Sequence, residues 1–214
     1  MDHAGAVIGP LCAFALLTAG SELSSVFLWS LVPGLAVLAL IVLGLPPDPP
    51  LAVLPAPAAS WRRLDAGLRR LVLAAALLSL AAVPEAFIVL WATAAGLPIA
   101  MVPLAWAAAS LVKMLVATPA GRLSDRLGTR VVLVWGWLLR VSLLALLALA
   151  PAAGAAVWIL FAAYAGSLAA TEAAERSMVG DLAPSALRGT IFGVYHLATG
   201  LVALPGAVLF GLLW

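Results

Sequence analysis

Residues 121–130 read Gly121-Arg122-Leu123-Ser124-Asp125-Arg126-Leu127-Gly128-Thr129-Arg130, and an apolar stretch long enough to cross a bilayer lies on each side. The cassette gathers three arginines and one aspartate into a short loop. Gly121 and Gly128 offer sharp turns and close helix approach. Asp125 can accept from helix N-terminal amides or pair with an arginine. Arg122, Arg126 and Arg130 can bind carboxylates on neighbouring helix ends or lipid phosphates. Two readings follow: a cytoplasmic latch favouring one conformation, and a topology anchor that keeps the loop inside.

Composition supplies the setting. Of 214 residues, 65% are apolar and only 9% charged, with mean hydropathy +1.19. A soluble chain sits near about 45–50% apolar and about 25% charged. This chain lacks the polar surface to cover a core in water, so lipid must be its solvent. Cys12 is the single cysteine, which excludes an internal disulfide. With only two histidines beside it, no metal and no cofactor is implied. The first apolar stretch has only Asp2 and His3 ahead of it and lacks the basic start of a signal peptide, so it reads as a retained helix.

A membrane helix needs roughly 20 mostly apolar residues. Seven stretches qualify, at about 4–20, 25–46, 70–93, 97–118, 131–150, 156–178 and 190–213. No stretch alternates as a membrane β-strand does. The expectation is an all-α integral membrane protein with seven transmembrane helices. Arg62, Arg63, Arg69, Arg70, Arg122, Arg126, Arg130, Arg176 and Arg188 all fall on one set of alternate connections, and the opposite connections carry no Lys or Arg. Positive loops stay cytoplasmic, so a cytoplasmic N-terminus and a multi-pass topology follow. Residues 46–59 are proline-rich and read as a linker. Trp61 to Arg70 looks amphipathic and basic, suited to the membrane surface. The chain then divides into residues 1–46 with two helices, a linker over 47–69, and residues 70–214 with five helices.

The cassette resembles the signature G-x-L-x-D-R-x-G-x-R of the major facilitator superfamily. In that family it joins helices two and three and, more weakly, eight and nine. Four spans and a long basic connector precede it here, so the resemblance implies helices five to eleven of twelve: a partial major-facilitator-type bundle, expected to be an incomplete chain of a bacterial inner-membrane protein that needs the missing helices of the same fold. Gly5, Gly9 and Pro10 resemble the end of the helix-five motif associated with antiporters, although Ala13 and Phe14 stand where two further glycines are usual. Asp181 to Pro184, Arg188 to Thr190, Gly193 and Gly200 resemble the family's ten–eleven loop and helix eleven. The resemblance implies alternating access, in which two halves rock about a central site.

Interior polar groups mark the candidate path. A charge at the bilayer centre costs about 2.5–3.5 kcal/mol on insertion scales, so it usually faces protein or water. Glu85 follows Pro84, which should kink its helix and free a carbonyl; it is the first candidate for proton or cation binding. Lys113, with Trp106 and Ser110 on its face, can neutralise an anionic ligand or Glu85, or snorkel to the cytoplasmic side. Tyr164, Ser167, Thr171 and Glu175 form a polar stripe on one helix. His196 and Thr199 lie on the last span. Glu172 and Arg176 can pair one helical turn apart; the resemblance implies that this cluster meets the cassette arginines, with Asp125 facing Arg176 or Arg188. Arg140 sits mid-span without an evident role.

The expected function is transport of a small solute across the bilayer, proton-coupled and suited to drug-like efflux. The alternative is an embedded half or scaffold that needs a partner chain and does not transport alone. No HExxH, GxSxG or phosphate-cradling loop points to an enzyme, and the arginines serve topology rather than nucleic acid.

Overall fold

The computed structural model describes residues 2–46, 64–149 and 153–213, and these form helices joined by short turns, without strands. In chain order they are α1 (Asp2–Thr18), α2 (Leu23–Trp29), α3 (Leu31–Gly44), α4 (Ala66–Ala81), α5 (Glu85–Ala94), α6 (Val102–Leu127), α7 (Thr129–Leu149), α8 (Ala155–Leu182) and α9 (Arg188–Leu213). Among the described residues, six segments are long and apolar enough to cross a membrane, and α1 contributes a shorter apolar helix over Gly5–Thr18. The proline-rich connector, Trp61, Arg62 and Arg63 lie outside the described residues.

Two of the expected spans are each built from two helices, and proline explains both breaks. Pro33 lies in the first turn of α3 and cannot donate to the carbonyl of Trp29, so the span divides at Ser30, whose hydroxyl bonds Phe27 O at 2.7 Å. Pro84 pushes Val83 out of the helical region, so α4 ends at Ala81 and α5 starts at Glu85. Pro119 by contrast lies inside α6, which continues through it to Leu127.

α4 begins at Ala66, so residues 66–69 belong to the helix rather than to the linker expected over 47–69. Asp65 sets that start, because its side chain accepts from the amide of Gly67 at 2.7 Å. Asp65→Ala is expected to lower stability by about 1 kcal/mol, read as a lower thermal midpoint in lipid nanodiscs.

The packing runs through α8. It lies against α6 and α7, α4 lies against α9, and α1 lies against α6. The face of α6 that is buried presents Ala105, Ala107, Ala109, Ser110, Ala120 and Ser124. Small residues let membrane helices approach, since lipid is as apolar as leucine and only close packing rewards association. Large apolar side chains such as Leu40, Leu43, Trp135 and Leu212 point outward, as expected where the solvent is hydrocarbon.

Candidate functional site

The break between α4 and α5 builds the site. It leaves the carbonyl of Val83 without a helical partner, and Tyr164 on α8 donates its hydroxyl to that oxygen at 3.0 Å. One residue beyond Pro84, Glu85 starts α5 and forms an ion pair with Lys113 on α6. Their side chains keep 35% and 18% of their surface, so the pair is partly desolvated. Beside it lies a cavity of about 10 Å³, lined by Trp106, Ser110 and Tyr164 among others, which is room for about one water. Ile88 and Phe161 close it, with Phe161 set edge-on to Trp106 at 6.3 Å between centroids. Sequence reading missed these two apolar walls, which carry no polar signal.

The structure thus brings together Glu85, Trp106, Ser110, Lys113 and Tyr164. The rest of the stripe on α8 does other work. Ser167 donates to the carbonyl of Tyr164 at 2.6 Å and is buried. Thr171, fully buried, accepts a hydrogen bond from Nη2 of Arg140 on α7 while lying 3.1 Å from the carbonyl of Leu168. Glu175 accepts from Nε1 of Trp137 on α7 and from the hydroxyl of Tyr195 on α9, both at 2.9 Å. Glu175 therefore joins three helices. Trp137 and Arg140 stand three residues apart on α7 and face α8; that spacing was the signal that could have found them.

His196 does not join the cavity. It is exposed and leans on Phe192 and Tyr195, at 6.3 and 5.2 Å between ring centroids. Thr199 bonds back to the carbonyl of Tyr195 at 2.9 Å. On α1, added Cβ atoms at Gly5 and Gly9 would meet nothing within 4 Å, and Pro10 lies inside the helix.

The cassette differs from the expected loop. Gly121, Arg122, Asp125 and Arg126 lie in the last turns of α6, and Gly128 alone makes the turn into α7. Nothing between residues 120 and 127 breaks a helix strongly enough, whereas Gly128 adopts φ 89°, a conformation other residues rarely take. Arg122, Asp125, Arg126 and Arg130 are exposed. Among the described residues, the expected pairs from Asp125 to Arg176 or Arg188 do not form. Arg176 instead pairs with Glu172 at 2.5 Å on its own helix, because the i,i+4 partner is always within reach. Arg188 starts α9 and is exposed. Ser124 reaches across the turn to Thr129 at 3.2 Å.

Comparison with curated proteins and with solved structures returns no match. The family model described as Major Facilitator Superfamily matches residues 1–207. Six apolar spans, a bundle centred on α8 and a match over nearly the whole chain lead to one conclusion: the protein is a multi-pass integral membrane transporter of the major facilitator kind, and the chain belongs to that superfamily.

Proposed function

We propose that the chain moves a small solute by alternating access coupled to a proton, with Glu85 as the proton-carrying carboxylate and Lys113 as its counter-charge. The Glu85–Lys113 ion pair beside a one-water cavity supports this reading above all else. While paired, the two charges cancel and tie the start of α5 to the middle of α6. A proton arriving on a Glu85 oxygen removes the carboxylate charge and weakens that tie. The ammonium of Lys113 is then free to meet a solute, and α5 can move against α4 at the proline break. Trp106 and Phe161 give the cavity an apolar wall, which suits a lipophilic or weakly charged solute and drug-like efflux. This is a transport reading and not an enzymatic one. On the same reading the arginine-bearing helix ends face the cytoplasm of a bacterial cell. The antiport reading draws on the sequence of Gly5, Gly9 and Pro10 alone, since both glycines are exposed on α1.

Glu85→Gln is expected to insert normally and to reduce proton-driven flux of lipophilic dyes in membrane vesicles at least about a hundredfold, the lower end of the typical scale of losing a proton-transferring group. Dye flux at the parent rate in that variant would remove Glu85 from the coupling step. The second reading, an embedded half that needs a partner chain, draws on α3, which buries none of its residues among the described residues. A second polypeptide co-purifying in fixed ratio from native membranes would favour it.

A further inference from the structure

Arg140 and Glu175 are opposite charges on one interface inside the membrane-spanning segments, and neither forms an ion pair among the described residues. α7 and α8 run antiparallel, with Trp137 opposite Glu175 and Arg140 opposite Thr171. Thr171 and Glu175 are one helical turn apart on α8, a rise of about 6 Å. Gly136 keeps the two backbones close at this level, since a Cβ built there would run into Cγ2 of Thr171.

Each charge is held by neutral partners. Arg140 is 9% exposed; its Nη2 donates to Thr171, and its Nε is buried without an acceptor among the described residues. Both oxygens of Glu175 are occupied by Trp137 and Tyr195. A buried guanidinium without a carboxylate is a costly arrangement in lipid, and interior charges usually pair. The other charged groups nearby are engaged or turned away: Glu172 and Arg176 pair with each other on the exposed side, and Asp125 is exposed. Of the two donors to Glu175, only Tyr195 belongs to a helix outside the α7–α8 interface.

We propose that Arg140 and Glu175 form an intramembrane ion pair in a second conformation of the transporter, and that α9, through the Tyr195 hydroxyl, decides whether they pair. Movement of α9 away from α8 takes the donor from Oε2 of Glu175 and leaves a bare carboxylate oxygen near an arginine with an unused N–H. A guanidinium suits this role because its fork carries five donors; it can keep Thr171 and still offer another N–H to Glu175. Arg140 is thus a positioning residue that acts through the helix interface and not on the solute. The inference does not rest on the role given to Glu85.

The test needs no substrate. The full chain is purified in lipid nanodiscs and its thermal midpoint read by tryptophan fluorescence for Arg140→Gln, Glu175→Gln and both together. The same set is repeated with Tyr195→Phe, which removes only the hydroxyl that holds Oε2. With Tyr195 present, the two losses in midpoint are expected to add. In the Tyr195→Phe background the double variant is expected to melt no lower than the worse single variant, because the pair has formed there. Thr171→Ala, which frees the guanidinium instead of the carboxylate, is the second background should Tyr195→Phe fail to purify, with the same outcome expected. Additive losses in the released background would overturn the proposal. Equal coupling with and without the Tyr195 hydroxyl would overturn the control by α9.

Discussion

Gly206→Val is expected to separate α4 from α9 and to lower stability by about 3 kcal/mol, the upper end of the range for overpacking. A Cβ at position 206 would lie 2.6 Å from the carbonyl oxygen of Leu80 and 3.2 Å from its C and Cα. These are backbone atoms of the neighbouring helix segment, so no rotamer change relieves the clash; the helices must move. The cost spreads because α4 and α9 run parallel and share a core of Leu68, Val72, Ala75, Ile191 and Tyr195. Gly193→Val is the matched control, since nothing lies within 4 Å of a Cβ there. Thermal midpoints in nanodiscs separate the causes. A large loss at 206 with a small loss at 193 identifies packing. Equal losses would point to the helix propensity of valine alone and refute the close-contact account.

Lys113→Met is expected to destabilise the protein by about 2 kcal/mol, and Lys113→Met combined with Glu85→Gln to recover most of that loss. Breaking a buried pair typically costs about 3–5 kcal/mol, because it strands a charge, whereas neutralising both partners is often harmless. The smaller value applies here because the Glu85 side chain keeps 35% of its surface. The quantity to measure is the denaturant or thermal midpoint of the single and double variants. A double variant no more stable than Lys113→Met would mean that the lysine acts through its apolar stem and not its charge. Flux is a separate readout: the double variant is expected to be stable and still unable to couple transport to a proton gradient.

Much of the scaffold was legible in the residues. Hydropathy placed the seven apolar segments, and Pro84 foretold the break in its span, beside which Tyr164 bonds the carbonyl of Val83. Lys113 could meet an anionic ligand, neutralise Glu85 or snorkel, and the pair with Glu85 is what forms. Glycine and charge signal a turn at the cassette, yet α6 tolerates Gly121 and stops only where Gly128 takes a positive φ. The partners of Glu175 were not legible. Its oxygens are claimed by Trp137 and Tyr195, from helices 38 and 20 residues away in the chain, and only the packing of α7, α8 and α9 brings them together. Arg140 was opaque for the same reason: a lone cation on an apolar helix says that it must turn inward, not towards which neighbour.

Because α6 runs unbroken from Val102 to Leu127, the charge partner of Glu85 and the exposed arginines of the cassette belong to one stiff lever. Lys113 and Arg126 are separated by about 20 Å along its axis. Pro119 sits between them, where the missing amide spares the carbonyl of Leu115 its usual bond and makes the rod easiest to flex. A bend at that elbow would change the angle between the arginine-bearing turns and the segment that carries Lys113, with both segments still helical.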